Sequence, residues 1–256
     1  MLTGLAHGLD MLEVLAKTRK PMALGAIAAA VGMSKPGTHR VLDTLCTRGF
    51  VVWAEGGFYS LGSKTWELGL AVPVMQFVPL AIPVMQRMAD RMGDGAILGA
   101  LDVGFEVVYL HVIESREPVR VYTDTGSRLP PHVTSTGLAC LAWLPPERLR
   151  EILPKVLLER TPETMTSRDE LLRELGLIRE RGYAATLGTY QTDIGGVAAP
   201  VFGPGGAVIA ALCVSSPRYR IDAAWNKRMP KAVVTAANEI TRLAQSADQL
   251  EIKVAA

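Results

Sequence analysis

The sequence predicts an α+β protein in two unequal parts, and three observations carry that prediction. Three helical patterns follow one another within residues 5–47, the second and third separated by a turn containing Gly32. Two β-prone runs, "FVVW" and "FYSL", flank "AEGG" and read as a hairpin. From Phe77 onward the texture changes to several β-prone runs divided by turn residues, with an amphipathic helix at either end. That is the pattern of a mainly antiparallel sheet with helices packed on it. At 256 residues the chain has length for one large or two modest domains.

In the first helix Leu5, Leu9, Leu12 and Leu15 (or Ala16) recur at helical spacing, and "KTRKPM" ends the run. In the second, Leu24, Ile27, Ala28 and Val31 fall at i, i+3, i+4 and i+7, the period of one buried stripe. Gly32 stands where a helix end needs a left-handed residue. Ser34 reads as the N-cap of the third helix, its hydroxyl placed to accept from an orphan N–H one turn later.

The third helix therefore starts at about Lys35. Val41, Leu42 and Leu45, with Thr38, take one side at 100° per residue, and Pro36, His39, Arg40, Asp43, Thr44 and Thr47 take the other. Pro36 is no obstacle, because in a helix's first turn its missing N–H costs nothing. Gly37 costs about 1 kcal/mol against alanine, and its bare backbone is expected to let a partner approach closely. A helix, a tight glycine-containing turn and a helix with a polar outer face form helix-turn-helix logic. In that motif the N-terminal residues of the second helix meet base edges in the major groove. Candidate DNA contacts are Ser34, Lys35, Pro36, Gly37, His39, Arg40 and Thr44, with Arg48 a further cation. The hairpin that follows makes the motif a winged one, since Gly56-Gly57 suits the positive φ of a tight turn, although Glu55 at its tip is a poor phosphate contact. Residues 1–64 hold seven Lys/Arg against four Asp/Glu, a balance of +3, and the remainder holds twenty against twenty-one, a balance of −1. The asymmetry permits a nucleic-acid partner for the first part without requiring one.

Residues 63–76, "SKTWELGLAVPVMQ", read as a connecting helix with Trp66 and Leu70 one turn apart, which Pro73 would end or kink. "PLAIPVMQRMADRMGD" reads as an amphipathic helix, and "AILGALDVG", "EVVYLHVIES" and "VRVYTDTG" as consecutive strands. Helices are expected around "STGLACLAWL", from Glu147 to Leu153 and from about Arg168 to Arg181. "GYAATLG", "GGVAAPVFG" and "AVIAALCVSS" read as strands, and a helix from about Ala223 to Leu250 closes the chain. The strands are expected in meander order.

Composition excludes several classes. With 49% hydrophobic and 20% charged residues, the chain has a normal globular mix able to bury a sizeable core. No apolar run reaches the ~18 residues of a membrane span. The start, "MLTGLAHGLDMLEVL", lacks a basic n-region, so cytoplasmic residence is expected. Cys46, Cys140 and Cys213 are odd in number and make no CxxC pair, which signals neither a disulfide framework nor a zinc knuckle. His7, His39, His111 and His132 show no HxxxH or HxH spacing, and P-loop, GxGxxG and GxSxG motifs are absent. No metal and no cofactor are expected, and catalysis has little support.

Two features point to binding instead. "TSTG" before an apolar helix places Thr134, Ser135 and Thr136 hydroxyls and free backbone N–H groups at a helix start, suited to a carboxylate or another anion. Plain N-capping needs only one of the three. In "CVSS", Cys213 and Ser215 alternate onto one face of an otherwise apolar strand. Polar atoms there need partners, which a bound small molecule or the backbone can supply.

From about Leu5 to Leu250 the chain resembles the isocitrate-lyase-regulator (IclR) family of bacterial transcription factors. The resemblance is carried by "GMSKPGTHRVLDTLCTRGFV" with "YSLG", then "EVVYLHVIES", "GSRLPPHVTSTGLACLAWLPP", "IRERGYA" and "GGVAAPVFGPGGAVIAALCVSSP", in that order. It implies a winged helix-turn-helix DNA-binding domain (1–62), a linker helix (63–76) and a GAF-like effector-binding domain (77–256). It also implies homodimers or tetramers on a double-stranded DNA operator, with no membrane partner. The recognition helix maps onto Lys35 through Arg40. The effector pocket maps onto Ser135 and Thr136, the segment from Thr186 to Gly188, Gly196, and the strand carrying Cys213 and Ser215. The expected function is a ligand-responsive regulator, a repressor of a catabolic operon, sensing a small organic or aromatic carboxylate.

Two departures stand out. Family members often carry hydroxyl residues where this chain has Pro36 and Gly37, so an operator preference does not transfer. Many carry an acidic stretch after "RGYA", where "TLGTYQTD" stands here. With fewer acids on that side a carboxylate is easier to accommodate, and Tyr190 could stack on an aromatic ring. Two alternatives stay open on sequence alone: a Cys- or Ser-dependent enzyme with a regulatory N-terminal domain, and a protein-interaction adaptor.

Overall fold

The structure is a computed structural model that describes residues 3–54, 56–70 and 77–254. The chain divides into two compact units, Met1–Gln76 and Phe77–Ala256.

The first unit contains α1 (Thr3–Thr18), β1 (Met22–Ala23), α2 (Leu24–Ala30), α3 (Lys35–Thr47), β2 (Val51–Ala54), β3 (Phe58–Leu61) and α4 (Ser63–Leu70). β1, β3 and β2 form an antiparallel sheet in that order. Met11, Leu15, Ile27, Leu42, Val51 and Tyr59 meet in its core, so every major element of the unit except α4 contributes a side chain.

The stripe of α1 differs from the leucine pattern. Gly8, Met11 and Leu15 are its buried face, while Leu5 and Leu9 are 62% and 52% exposed. Gly8 marks the place where α1 crosses α3: a Cβ there would touch Val41 Cγ1 at 3.7 Å. Counting leucines passes over a glycine that turns a helix inward by having nothing to pack.

α2 ends as expected, with Gly32 at φ +68° and the Met33 N–H donating to the Ala28 carbonyl across the turn. The hairpin turns through Gly56 and Gly57 at φ +85° and +79°. Glu55 and residues 71–76, Pro73 among them, lie outside the described residues.

The second unit opens with α5 (Val78–Met92) and continues through β4 (Gly95–Leu101), β5 (Val107–Ile113), β6 (Arg128–Leu129) and a short 3₁₀ turn (Pro131–Val133). Then come α6 (Ser135–Leu141), α7 (Pro146–Ile152), α8 (Arg168–Arg181), β7 (Ala184–Leu187), β8 (Ile194–Phe202), β9 (Val208–Pro217) and α9 (Ala223–Val254). The sheet runs β6-β5-β4-β9-β8-β7, antiparallel throughout.

Two expectations need correcting. The sheet is not one meander but two three-stranded meanders joined at their centre, where β4 pairs with β9 from Gly95↔Ser215 to Gly99↔Ala211. "VRVYTDTG" is not a strand. Residues 119–124 run outside the ladder, and Arg128–Leu129 pair with β5 instead. The run still shows strand-like alternation, with Val121 and Thr123 half-buried and Arg120, Tyr122 and Asp124 exposed. An extended segment that covers something other than a sheet edge leaves the same two-residue signature.

One face of the sheet, including Ile97, Tyr109, Ala198, Ala211 and Cys213, packs against Leu138, Leu141, Leu149, Leu171 and Leu175 of α6, α7 and α8. α5 and α9 pack against the sheet as well as against each other, and by alternation Leu98, Leu212 and Val214 point to their side. The strands thus read as apolar runs because both faces are covered.

Candidate functional site

The α3 face is built locally. The Ser34 hydroxyl accepts the Gly37 N–H at 3.3 Å, and Pro36 occupies the first turn where no donor is missed. Thr38 and Leu42 are fully buried, the Thr38 hydroxyl donating to the Ser34 carbonyl at 3.1 Å. Lys35, Pro36, His39, Arg40, Asp43, Thr44 and Thr47 are exposed on the opposite side. The Lys35 stem lies over α2, where a Cβ on Gly25 would meet its Cε at 3.5 Å. Thr44 is less available than its position suggests, since its hydroxyl donates to the Arg40 carbonyl at 3.0 Å.

Gly37 has a local role in the helix cap. A Cβ there would meet Ser34 Oγ at 3.1 Å and Met33 Cε at 3.4 Å. Its missing side chain leaves room for the Ser34 cap.

The second unit holds a cavity of about 330 Å³. Its inner end is formed by the start of α6 and strands β4, β8 and β9. Ser135 Oγ and Cys213 Sγ share a hydrogen bond at 3.3 Å. A Cβ on Gly196 would come within 3.0 Å of Ser135 Oγ, and one on Gly99 within 2.9 Å of Thr136 Cγ2. Gly196 therefore leaves room for the Ser135 hydroxyl, and Gly99 for the Thr136 methyl.

Thr134, not Ser135 or Thr136, is the N-cap, its hydroxyl accepting the Gly137 N–H at 3.0 Å. Ser135 and Thr136 are thereby freed from capping, and their N–H groups belong to the first turn, which has no intrahelical acceptor. Thr136 Oγ1 is fully buried and makes no complete hydrogen bond among the described residues, although it lies near enough to the Cys213 sulfur to favour its thiolate. A buried hydroxyl without a partner is costly.

The cavity is nearly free of charge. Burial pushes the Cys213 thiol up, partly countered by the Ser135 and Thr136 hydroxyls. Burial, with Cys213 and Tyr190 adding to it, also raises the Tyr109 phenol. Arg128 is the one charged side chain among the described lining residues. It pairs with Asp102 and stands 3.7 Å from Glu106. Burial alone would raise Asp102, but the Glu106 and Gly104 N–H groups and Arg128 more than reverse it, and its carboxyl sits below the usual range.

Of the residues singled out from sequence, Ser135, Thr136, Thr186, Gly196, Cys213 and Ser215 line this cavity, and so does Tyr190. Gly188 does not: it turns the chain after β7 at φ +79°, its carbonyl accepting from Thr161 Oγ1 at 2.7 Å. Tyr109, Val121–Thr123, Arg128, Thr189 and Gln191 also line it and went unmarked. Tyr109 carried a signal, since it alternates with Val107 on the buried face of β5. Arg128 carried none.

A thiol nucleophile finds no support. Cys140 is fully buried and pushed up to about 12 by desolvation, the Leu101 backbone pulling slightly back. A low-pKa, accessible thiolate is what such chemistry needs. His132 is buried with Nε2 2.9 Å from the Leu158 carbonyl, and burial holds its pKa down. Burial lowers His111 as well. Among the described residues no His/Cys/Asp/Glu group could hold a metal ion, and no helix is long and apolar enough to cross a membrane.

Comparison with known proteins covers both units. The model for the bacterial transcriptional regulator IclR C-terminal domain matches residues 70–242, and the one for the IclR helix-turn-helix domain matches residues 4–55. The HTH-type transcriptional regulator KdgR of Escherichia coli strain K12 is 32% identical over 234 residues, 90% of this chain and 88% of the relative. The transcriptional repressor IclR of the same strain is 27% identical over 242 residues, 93% of this chain and 88% of the relative. The crystal structure of an IclR homolog from Microbacterium hydrocarbonoxydans complexed with 4-hydroxybenzoate matches with a TM-score of 0.83 at 28% identity, over 93% of this chain and 98% of that one.

Proposed function

The chain belongs to the IclR family of bacterial transcriptional regulators, and on that premise we propose that its cavity binds a small organic or aromatic carboxylate that changes its hold on operator DNA. The observation that carries this is the inner end of the cavity, with an unpartnered buried Thr136 hydroxyl beside the first N–H groups of α6. Those groups favour negative charge. No carboxylate stands among the described lining residues to repel it, and Arg128 lies in the same wall. The bound 4-hydroxybenzoate of the Microbacterium homolog supports the ligand class.

In this reading residues 1–62 are the DNA-binding domain, 63–76 the linker and 77–256 the effector domain. α3 lies in the major groove, with Ser34, Lys35, Pro36, Gly37, His39, Arg40 and Thr44 at or near the duplex. Lys35 and Arg40, with Arg48, neutralise phosphates or reach guanine edges; phosphate contacts set orientation and base contacts set sequence. The protein acts as a homodimer or tetramer and represses a catabolic operon. Ligand binding favours one state of the effector domain, and a shift from mostly bound to mostly released requires differential affinity of several kcal/mol, about 5.5 for 1:99 to 99:1.

The test is a thermal-shift titration of the full chain against aromatic and aliphatic carboxylates, 4-hydroxybenzoate included. A ligand at 100 times its Kd should add about 2.7 kcal/mol of stability. A panel without a stabilising carboxylate would sink the carboxylate pocket.

A further inference from the structure

The segment that covers the cavity is attached to the fold in an unusual way. Val121, Tyr122 and Thr123 line the cavity from outside the sheet ladder. At its upstream end the Val119 carbonyl accepts from Arg220 Nη2 at 3.1 Å. The same nitrogen stands 3.3 Å from Asp94 Oδ1. Asp94 is 4% exposed and also accepts from Ser216 Oγ and Trp225 Nε1, both at 2.9 Å.

Asp94 sits at the corner between α5 and β4, directly after Gly93. That corner also holds the base of the covering loop, because Ser115 Oγ donates to the Gly93 carbonyl at 2.7 Å. Arg220 Nε is buried without a partner among the described residues. The guanidinium is held by Asp94 and Val119, with the centre of the Tyr219 ring 6.0 Å from its Cζ, and these contacts offset part of its desolvation cost.

We propose that Arg220, anchored by Asp94, is the positioning residue of a gate: it holds residues 119–123 over the cavity and so controls access to Thr136 and Cys213. Ser216, which ties Asp94 to β9, is the immediate neighbour of Ser215 in the cavity wall. A ligand's arrival and the closure of the gate therefore bear on one corner of the fold, at the C-terminal end of α5. The proposal rests on the cavity being the ligand site, but its test needs no ligand.

Two buried cysteines make that test internal. Cys213 lines the cavity, whereas Cys140 is equally buried in the core without lining it. The full chain is alkylated with iodoacetamide at fixed pH, and each cysteine is followed on its own peptide by mass spectrometry. Arg220→Gln removes one charge-assisted hydrogen bond to the segment and should speed Cys213 labelling about tenfold, with Cys140 unchanged. Arg220→Lys, which keeps a cation for Asp94, should fall between, and it carries the test alone if the glutamine variant does not fold. Equal acceleration at both cysteines would show that Arg220 merely stabilises the fold, and no acceleration at Cys213 would show that the segment is not its gate. Either overturns the proposal. A failed carboxylate screen with selective Cys213 acceleration would leave the gate standing and remove only the ligand reading.

Discussion

Every residue proposed to face DNA lies between Ser34 and Arg48, on one helix and its two caps, whereas the six predicted residues that line the cavity are spread from Ser135 to Ser215 over α6, β7, β8 and β9. The first surface is exposed and rests on a buried stripe that it does not share. The second is made of the same side chains that pack the core: Cys213 belongs both to the cavity wall and to the cluster around Leu138 and Leu171. Substitution on α3 should therefore change binding and leave stability alone, while substitution at the cavity should change both.

The largest effect that sharpens this contrast is expected at Gly137, in the first turn of α6. A Cβ there would stand 2.2 Å from the Pro131 carbonyl oxygen and 2.4 Å from its Cα. Both are backbone, so the helix start must move, and Gly137→Ala should cost about 3 kcal/mol in urea unfolding of the full chain. A loss under about 1 kcal/mol would mean that the start of α6, which carries Ser135 and Thr136, yields as easily as a surface.

Arg40→Ala comes next, on the binding side. Operator affinity should fall by about tenfold or more, from 1–3 kcal/mol of lost contact, with unfolding free energy unchanged within about 0.5 kcal/mol. If Arg40 meets a phosphate, the slope of log affinity against log salt should also shrink by about one. Unchanged operator affinity in a normally stable variant would break the α3 side of the comparison.

Thr136→Val tests the cavity from within. The exchange keeps the shape, including the methyl packed on Gly99, and removes the unpartnered hydroxyl. Stability without ligand should rise by about 1 kcal/mol, and the thermal shift given by a binding carboxylate should shrink. A variant that loses stability would show that the hydroxyl is already satisfied.

Gly37→Ala should have the smallest effect. Alanine's better helix propensity, up to about 1 kcal/mol, is opposed by crowding of the Ser34 cap at 3.1 Å, while Met33 Cε is a flexible end that can move aside. A net change within about 0.5 kcal/mol is expected in denaturation, with operator affinity nearly unaltered because the new methyl faces the cap. A large loss of DNA binding would support the idea of close backbone approach.

The sequence by itself determined what depends on neighbours in the chain. Ser34 as cap, Pro36 in the first turn, left-handed Gly32, the Thr38/Leu42 stripe and the span of α8 all follow from three- and four-residue spacing and turn chemistry, which operate within one or two turns. Local pattern misled where an equally local signal had a distant cause: Gly8 buries α1 through Val41 of another helix, and residues 119–124 alternate because they cover a cavity rather than extend a sheet. The tertiary structure alone decided that Thr134 takes the cap and leaves Thr136 unpartnered, that Gly188 turns the chain beside the cavity without lining it, and that Arg128 belongs to its wall. It decided this through the pairing of β4 with β9, which brings Ile97 opposite Cys213. Pairing across so long a stretch of chain is set by which apolar faces both sides of the sheet can bury together, a property that no short window of residues contains.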